Sequence, residues 1–586
     1  MATNSRIDAR SLLAIDVGAV RTRAMLFDAV EGRYRFLAEG VGPSTIGAPV
    51  RDVSEGVRRA IDQLQMIAGR PLIDEEERLI SPTSPDGSGV DSVVATFGAG
   101  PPVKVFAVGL LEDISLESAK NLIASSHARL VGSISMNDRR KVEEQIDLIL
   151  KIRPDMILVA GGTNKGATHS VLNLIEPVGL ACYLMGNGAK PEILFAGNEE
   201  LAEEVKDRLG GLAPVHFSPN VRPNLENEQL GPAQVRMVEV LQHMSVARIQ
   251  GMQELVSWSG GAVVPNSAAF GRVVKFLSKV YDPSKGVLGV NLAGSGLTVA
   301  ASFSGNLRLN VYPNLGMGTR LSGAFAPERL GRISRWLPYP MENEQILDYL
   351  FNRALYPESL AATEEEMALD LAISRELIRE GLKRSDQSFP EKVKRPGTDL
   401  LPWFEPIIAV GEILARAPTH GQALLTLLDG IQPTGVTTVV LDQNNLTAAL
   451  GAAAGRNPLM VVQVLEATGT FLNLGTVISP VSRARPGTPV VQARLVYEDG
   501  SEVKAEVKQG NIEALRLSPG QSARLHLQPL HRSDVGMGGP GRSGSLRVNG
   551  GTLGVIIDAR GRPIHMPSDP EQRRELLKKW LWVLGG

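Results

Sequence analysis

One short segment near the start of the chain combines residue types that bind phosphate groups. Asp16-Val-Gly18-Ala-Val-Arg-Thr22 lies between two apolar runs, Ser11–Ile15 and Ala24–Phe27, and this strand–turn–strand pattern predicts a β-hairpin. Gly18 allows the backbone to approach an anion closely, and the turn N–H groups form a concave set of donors. Thr22 adds a hydroxyl, and Asp16 can hold Mg²⁺ through water. The alternative is a tight hairpin whose aspartate caps its own turn, and the segment alone does not separate the two.

A second segment, far along the chain, repeats this pattern. Apolar runs flank the turn Leu292–Thr298, which contains Gly294 and Gly296. Asn291 occupies the position equivalent to Asp16, so it can accept a hydrogen bond but brings no charge. By itself the segment is typical of a plain glycine turn. Two such hairpins in one chain favour a nucleotide held in a cleft between two related halves.

Other chemically capable residues give weaker indications. Arg21 beside the first turn is either a phosphate clamp or an ordinary surface charge. Gly161–Gly166 follows a predicted strand and could cradle an anion with Lys165, but the lysine is not followed by the Ser or Thr of a P-loop. The eight histidines lack zinc-ligand spacing. Cys182 lies in an apolar stretch and is interpreted as a buried structural thiol.

Alternating helix and strand patterns must position these segments. Apolar spacing of three and four predicts an amphipathic helix over Asp52–Ile67. From Val103 to Phe217, buried-type strands alternate with helices, which predicts a parallel sheet covered on both faces. We therefore expect a first half over residues 1–284, with an α/β insertion at about 100–218, and a second half over residues 285–480.

The last part of the chain, residues 481–586, differs in composition. Ser482–Pro489 is rich in Pro, Gly and Arg, like a linker. Alternating apolar and polar residues on either side of Asp499-Gly500 predict a β-hairpin, and Ser568-Asp-Pro570 predicts the start of a final helix. This pattern predicts an independent β-rich C-terminal module that contacts a partner or another subunit.

Composition and charge exclude several classes of protein. The chain has 586 residues, of which 43% are hydrophobic and 21% charged, so a disordered or fibrous chain is excluded. The formal net charge of -2 argues against electrostatic binding of the whole molecule to nucleic acid. No apolar run approaches the roughly 18 residues of a membrane helix, so no membrane insertion is expected. A single cysteine and a polar N-terminus favour a cytoplasmic protein.

Segments in both halves of the chain resemble the MutL/GlmL accessory proteins of cobalamin-dependent glutamate mutase. The resemblance covers about residues 11–455. It is carried by Asp16–Asp28, Lys104–Leu110, Pro154–Thr163, Leu194–Asn198, Asn220–Pro223, Leu315–Met317 and Val440–Gly451. It implies the fold shared by actin, sugar kinases and heat-shock chaperones, in which two ribonuclease-H-like domains hold ATP and Mg²⁺ between them. It also implies a chaperone or reactivator that acts on a mutase.

The resemblance assigns roles to particular residues of this chain. Asp16, Gly18 and Thr22 match the first phosphate loop of the family, with Asp16 toward the metal, and Arg21 stands within the same loop. The second phosphate loop is matched at one position, Gly294. Gly411 stands roughly where the family has an adenosine-contacting turn. Gly296 is expected to contact the nucleotide because glycine in the second turn permits close approach.

Several positions depart from the family pattern. The second loop of the family begins with Asp and carries two hydroxyl residues, where this chain has Asn291, Gly296 and Leu297. Pro313 and Asn314 stand where an acidic pair is usual, with Arg320 and Arg335 nearby as expected phosphate partners. Because these departures remove acidic groups, they weaken metal binding and water activation.

The fold class expected is therefore α/β, with duplicated actin-like domains, an α/β insertion and a β-rich C-terminal region. The expected function is that of an ATPase-fold accessory protein with weak or no hydrolysis and with a protein partner or self-association. One alternative is a non-catalytic scaffold or a self-assembling, filament-type protein. A small-molecule kinase is a further alternative, although no motif marks the catalytic Asp that it would need.

Overall fold

The computed structural model describes residues 10–186, 188–261, 263–325, 330–390 and 392–585. The first half begins with β1 (Leu12–Gly18), β2 (Arg21–Val30), β3 (Arg33–Pro43), α1 (Val53–Ala68) and β4 (Ser92–Gly98). The side chain of Asp52 caps α1 by accepting a hydrogen bond from the Ser54 amide, and Gly69 ends the helix in a left-handed conformation. The helix predicted over Asp52–Ile67 is confirmed.

An α/β unit is inserted after β4. It contains β5 (Val103–Gly109), α2 (Glu117–Ala124), β6 (Ala128–Ser135), α3 (Val142–Ile152), β7 (Met156–Ala160), α4 (His169–Leu184), β8 (Glu192–Phe195), α5 (Ala202–Leu209), β9 (Val215–Phe217) and α6 (Leu230–Arg248). Its five strands pair in parallel in the order β6-β5-β7-β8-β9. Apolar clusters cover both faces, so the predicted parallel sheet is confirmed.

The chain then returns to the first half through α7 (Met252–Trp258), β10 (Val263–Pro265) and α8 (Asn266–Val280). The first sheet has the order β3-β2-β1-β4-β10. Strands β1, β2 and β3 are antiparallel neighbours, whereas β4 and β10 continue the sheet in parallel with β1. Alternate residues of β1 face α1 on one side of the sheet and α8 on the other, because successive strand residues point to opposite faces.

The second half repeats this architecture. Its elements are β11 (Gly286–Leu292), β12 (Leu297–Phe303), β13 (Asn306–Tyr312), α9 (Gly331–Ser334), α10 (Asn343–Leu355), α11 (Glu364–Ser385), β14 (Phe404–Val410), α12 (Glu412–Ala415), α13 (His420–Ile431), β15 (Gly435–Asp442), α14 (Thr447–Ala453), α15 (Pro458–Leu465) and β16 (Leu472–Ser479). The strand order β13-β12-β11-β14-β15 matches that of the first sheet, again with three antiparallel and two parallel strands. The predicted actin-like duplication is therefore confirmed.

Equivalent helices of the two halves cross between the sheets. α8 follows the fifth strand of the first half, and α14 follows the fifth strand of the second half. A Cβ added to Gly451 of α14 would lie 1.9 Å from the carbonyl oxygen of Ala269 in α8. The crossing therefore needs glycine at this position, because the two backbones approach too closely for any side chain.

The C-terminal residues contain β17 (Pro489–Tyr497), β18 (Glu502–Lys508), β19 (Ile512–Leu515), β20 (Ser522–Pro529), β21 (Gly544–Asn549), β22 (Val555–Asp558) and α16 (Pro570–Val583). Four of the strands form a sheet of their own, in the order β18-β17-β20-β21. The other two extend the sheet of the second half, because β22 pairs with β16 and β19 pairs with β22. The β-rich composition and the final helix are as predicted, but the expected independence of this region is wrong.

Buried charged side chains hold the C-terminal strands against the second half. Asp429 of α13 pairs with Arg375 of α11 and with Arg560. Asp558 at the end of β22 pairs with Arg560 at 2.8 Å and with Arg562 at 2.7 Å. Although burial opposes ionisation of Asp558, the two guanidinium groups hold its pKa well below the usual range. Such a cluster ties the last strands to the rest of the sheet because none of its charges can be separated from its partners at low cost.

Candidate functional site

The candidate site lies where the first hairpin, residues 16–22, meets the second hairpin, residues 291–298. Asp16 is near the end of β1, on the face of the sheet that packs against α8. Its Oδ1 accepts hydrogen bonds from Thr96 Oγ1 at 2.6 Å and from Asn266 Nδ2 at 3.0 Å. Thr96 lies beside Asp16 on β4, and Asn266 is the first residue of α8. The carboxylate is therefore oriented by the neighbouring strand and by the helix that follows the sheet.

Asn291 reaches the same point from the second half. It is a buried residue of β11, and its Nδ2 donates a hydrogen bond to Asn266 Oδ1 at 3.2 Å. Asn266 therefore connects Asp16 with Asn291, since its amide nitrogen donates to one and its amide oxygen accepts from the other. The structure brings together the two residues that the sequence placed at equivalent positions of two hairpins.

The turns of the two hairpins contact each other directly. A Cβ added to Gly294 would lie 2.4 Å from Cγ2 of Val20, so the valine side chain occupies the space in front of this glycine. A Cβ on Gly18 would lie 2.8 Å from the carbonyl oxygen of Arg21 within the same turn. Gly294 thus permits contact between the hairpins, and Gly18 permits a tight turn. An anion can enter between the turns only after Val20 moves away from Gly294.

Gly296 and Gly411 both have positive φ angles and both lie against backbone. Gly296 has φ 159°, and a Cβ there would lie 2.6 Å from the Tyr312 carbonyl oxygen. Gly411 has φ 154°, and a Cβ there would lie 2.8 Å from the Leu292 carbonyl oxygen. Gly411 therefore packs against the second hairpin. Close packing alone accounts for glycine at both positions, so their predicted contacts with a nucleotide stay predictions.

Arg21 forms an ion pair across the two halves. Its Nε lies 2.8 Å from Oε1 of Glu412, which also pairs with Arg416 at 2.7 Å. Glu412 directly follows Gly411 at the start of α12. A carboxylate from the second half therefore neutralises the cation that was predicted to clamp phosphate. This ion pair and the contact between Val20 and Gly294 hold the cleft closed at the hairpins.

Thr22 is directed away from the other hairpin residues. It pairs with Val17 in the β1–β2 register and is only 1% exposed. Its Oγ1 lies 3.2 Å from the position of a Cβ on Gly56, so the hydroxyl faces α1. Asp16 lies on the opposite face of the sheet, because adjacent strand residues alternate. The structure therefore does not bring the Thr22 hydroxyl to the site.

Arg335, the second arginine expected near phosphate, is engaged elsewhere. It forms an ion pair with the buried Glu376, and its guanidinium carbon lies 4.9 Å from the ring centroid of Trp336. The Trp336 indole donates to the same Glu376 carboxylate at 2.6 Å. Arg335 is therefore part of the packing around α11.

Three site residues were not found from the sequence, namely Thr96, Asn266 and Glu412. Thr96 and Asn266 lie far from Asp16 along the chain and have no motif around them. A polar residue at the start of the helix after a short apolar strand was the only local signal for Asn266. Glu412 follows the predicted glycine turn directly, so its position was available from the sequence although its ionic partner was not.

The backbone of the two hairpin turns suits a phosphate group better than the side chains there suit a metal ion. Backbone N–H groups and glycines are present on both turns, but Mg²⁺ in proteins is usually held by one or two carboxylates together with substrate phosphates. Asp16 supplies one carboxylate, and its Oδ1 already accepts two hydrogen bonds. Within the part of the chain that the structure describes, no group of three or more His, Cys, Asp or Glu side chains could hold a metal ion.

Comparison with known proteins agrees with the family resemblance. The model of a family described as "MutL protein" matches residues 12–468. Protein MutL of Clostridium tetanomorphum is 26% identical over 188 residues, which is 32% of this chain. The alignment covers 38% of the length of that relative. A family match over most of the chain agrees with the paired hairpins and the repeated sheet order.

Solved structures that are similar to this chain have low TM-scores. The nucleotide-free acetone carboxylase is 12% identical, with coverage of 86% of this chain and 81% of that chain and a TM-score of 0.32. The diol dehydratase-reactivating factor in nucleotide-free form is 10% identical, with coverage of 76% of this chain and 99% of that chain and a TM-score of 0.30. The ethanolamine utilization protein EutJ from Carboxydothermus hydrogenoformans is 10% identical, with coverage of 76% and 89% and a TM-score of 0.27. The actin-like assignment made above rests on the strand order of this chain.

Among the described residues, no helix has both the length and the apolar character needed to cross a membrane.

Proposed function

The chain belongs to the MutL protein family, and from this membership we propose that it is an actin-like accessory protein that binds a nucleotide between its two hairpins and hydrolyses it weakly or not at all. The observation that carries the proposal is the connection of Asp16 to Asn291 through Asn266. This connection places equivalent positions of two related domains at one point. Nucleotide recognition would use the backbone donors of both turns, with ATP as the nucleotide.

Weak hydrolysis follows from the groups present around the turns. Phosphoryl transfer to water depends on a metal ion held in place and on an oriented water molecule. Asp16 supplies a single carboxylate, Asn291 adds no charge, and Pro313 has neither a backbone N–H nor a polar side chain. Loss of about 4 kcal/mol of transition-state stabilisation slows turnover about a thousandfold. Backbone contacts to phosphate do not depend on these groups, so binding persists without chemistry.

The proposed partner is a protein, of the cobalamin-dependent mutase type that the family resemblance implies, and the proposed location is the cytoplasm. A chaperone or reactivator couples the state of its nucleotide cleft to the binding of its partner. In this chain, the contacts between Val20 and Gly294 and between Arg21 and Glu412 join the halves at the cleft. Opening of these contacts by a nucleotide would change the relative position of the halves.

The same contacts favour a second candidate function, a scaffold that binds no nucleotide. The space between the turns is occupied by Val20, and the Arg21 cation is already paired with Glu412. A scaffold or self-assembling protein would use the closed arrangement as its permanent state. Nucleotide titration separates this candidate from the first.

The test is isothermal titration of ATP, with and without Mg²⁺, into the unmodified protein and into Asp16→Asn. Asp62→Asn is the matched control, since Asp62 is exposed on α1. We expect saturable ATP binding, a loss of its magnesium-dependent part in Asp16→Asn, and no change in Asp62→Asn. Absence of ATP binding in the unmodified protein would favour the scaffold.

Steady-state phosphate release tests the hydrolysis part of the proposal. We expect turnover near the buffer background for the unmodified protein and a higher rate for Asn291→Asp, which restores the second carboxylate. Robust magnesium-dependent turnover that is abolished by Asp16→Ala would contradict weak hydrolysis.

A further inference from the structure

A large cavity lies where the first half, the insertion and the second half meet. Its volume is about 1300 Å³, which exceeds the roughly 300–1,000 Å³ of ordinary small-molecule pockets. The first half contributes the end of β4 and the loop after it, from Phe97 to Pro102, and the second half contributes the end of β13 and residues that follow it. Gly98 lines the cavity and lies beside Gly18 in the sheet register. The cavity therefore starts next to the candidate site and extends away from it.

Much of the cavity wall is apolar. The apolar side chains come from all three units, among them Pro101, Pro102, Ile123, Leu241, Met244 and Val311. Such a wall favours a ligand with an apolar body, because burial of apolar surface supplies binding free energy in proportion to the area removed from water.

Five arginines line this cavity, and two of them, from different units, carry the argument. Arg129 belongs to β6 of the insertion, and Arg320 follows β13 of the second half. Among the described residues, neither forms an ion pair with a carboxylate, and the hydrogen bond from Arg320 Nη1 to the Pro313 carbonyl oxygen is long, at 3.5 Å. Burial and the nearby charge of Arg129 lower the pKa of Arg320. Both cations therefore lie on the wall of one cavity, and among the described residues no carboxylate pairs with either of them.

The carboxylates that line the cavity are already paired. Asp155 pairs with Arg248 at 2.9 Å, and Glu117 pairs with Lys120 at 3.7 Å. His127 brings no charge at neutral pH, because burial lowers its pKa to about 4. Its Nε2 lies 3.2 Å from the carbonyl oxygen of Gly100. Basic side chains outnumber the two carboxylates on the cavity wall, so the wall has a net positive charge, to which Arg129 and Arg320 contribute.

We propose that this cavity binds an organic anion, with its phosphate or carboxylate group between Arg129 and Arg320 and its apolar body against the proline-rich loop after β4. Guanidinium groups are suited to both anions because their forked donors match the two oxygens of either group. Since one arginine belongs to the insertion and the other to the second half, the bound anion joins these two units. The site is separate from the two hairpins and its existence does not depend on the proposed nucleotide function.

The test uses three probes that differ in charge but share one aromatic ring. Phenyl phosphate and benzoate carry the two candidate anionic groups, and benzyl alcohol is the neutral comparison. Each is titrated into the full-length protein by calorimetry, and into Arg129→Gln and Arg320→Gln. Arg494→Gln is the matched control, since Arg494 lies on the exposed side of β17 in the C-terminal sheet.

We expect saturable binding of at least one anionic probe, with a Kd at least tenfold lower than for benzyl alcohol. Arg129→Gln and Arg320→Gln each weaken it at least tenfold, whereas Arg494→Gln leaves it unchanged. Arg129 is exposed, so its substitution leaves folding intact even if Arg320→Gln fails to fold. Equal binding of the neutral probe, absence of saturable binding of both anions, or unchanged affinity in Arg129→Gln would overturn the proposal.

Competition with ATP separates this site from the hairpins. Asp16→Asn should leave binding of the anionic probe unchanged, because Asp16 does not line the cavity. Displacement of the probe by ATP, together with ATP binding that is weakened in Arg129→Gln but unchanged in Asp16→Asn, would place the triphosphate in the cavity, which supports an anion site here and contradicts nucleotide binding at the hairpins. Loss of probe binding in Asp16→Asn but not in Arg129→Gln would place the anion at the hairpins and overturn the proposal.

Discussion

Asn266 is the side chain of the candidate site that connects the two halves. Its amide donates to Asp16 at 3.0 Å and accepts from Asn291 at 3.2 Å, so one residue satisfies polar groups from both halves. The net contribution of such hydrogen bonds to the free energy of unfolding is modest, but a buried polar group that loses its partner carries a desolvation cost. At the scale of single residues, the cleft is held together by hydrogen bonds of this kind.

We expect Asn266→Ala to lower the free energy of unfolding by about 1–3 kcal/mol, because it leaves the buried Asn291 amide without its partner. Urea denaturation followed by circular dichroism measures this change. Asn306→Ala is the control, since Asn306 is exposed at the start of β13 and should change stability by less than about 0.5 kcal/mol. Equal effects of the two substitutions would contradict the bridging role of Asn266.

Val20 is the residue that limits entry between the turns. Its Cγ2 would lie 2.4 Å from a Cβ on Gly294, and an anion must break this contact to enter. Val20→Ala removes two methyl groups and so lowers the cost of opening by about 1 kcal/mol, which corresponds to roughly fivefold tighter ATP binding. Calorimetric titration of ATP into both proteins measures whether the affinity rises in Val20→Ala. Weaker ATP binding in Val20→Ala would mean that the valine supports the site rather than closes it.

The crossing of α8 and α14 is the contact between equivalent helices of the two halves. Gly451→Ala would place a Cβ 1.9 Å from the Ala269 carbonyl oxygen, so the helices must move apart. We expect a loss of about 1–3 kcal/mol or more in unfolding free energy, as for other overpacked contacts. Gly455→Ala is the control on the same chain segment, because an added Cβ there meets nothing within 4 Å. A stable Gly451→Ala variant with unchanged thermal midpoint would show that the crossing is looser than described.

The buried cluster around Asp558 predicts a pH dependence of stability. The neighbouring guanidinium groups lower the pKa of Asp558 in the folded protein below its ordinary value of 3.8. The ion pairs of Asp558 therefore contribute fully above this ordinary pKa, and their contribution is lost as the pH falls below it toward the lower pKa of the folded state. Asp558→Asn removes the charge and should cost about 3–5 kcal/mol at neutral pH. The difference in unfolding free energy between Asp558→Asn and the unmodified protein should shrink as the pH falls below 4.

The measurement is the free energy of unfolding at several pH values between neutral and acidic, for both proteins. Glu513→Gln on β19 is the comparison, since Glu513 is only partly buried and forms no ion pair among the described residues. A difference between Asp558→Asn and the unmodified protein that grows on acidification would contradict the assigned direction.

At the scale of the whole molecule, two strands and the final helix of the C-terminal region are integrated into the second half. β22 and β19 complete its eight-stranded sheet, and Trp580 of α16 donates to the Gly510 carbonyl oxygen at 3.0 Å. The guanidinium carbon of Arg560 lies 4.8 Å from the Trp580 ring centroid. The final helix therefore covers the same buried cluster that holds the last strands.

Limited trypsin digestion tests this arrangement. Arg483 and Arg485 are exposed in the segment between β16 and β17. We expect cleavage after Arg483, since Pro486 follows Arg485 and blocks trypsin there. The two fragments should elute together in gel filtration under native conditions, because the paired strands β16 and β22 lie on opposite sides of the cut. Separate elution of a folded C-terminal fragment without denaturant would restore the independent module.

The sequence by itself determined the local features of this protein. The strand–turn–strand patterns around Asp16 and Asn291, the α/β alternation over Val103–Phe217 and the helix over Asp52–Ile67 depend on neighbouring residues, and all were predicted. The resemblance to the family also predicted the duplicated fold.

Only the tertiary structure decided which distant residues meet at the site and along the last sheet. The Asp16–Asn266 hydrogen bond, the Arg21–Glu412 ion pair and the pairing of β22 with β16 each join residues far apart in the chain. The linker-like composition between β16 and β17 indicated a domain boundary. The pairing of β22 with β16 and the buried ion pairs of Asp558 are long-range interactions, which cannot be predicted from local composition. The pairing of β2 with its neighbours also decides which face of the sheet Thr22 is on, and its hydroxyl faces α1.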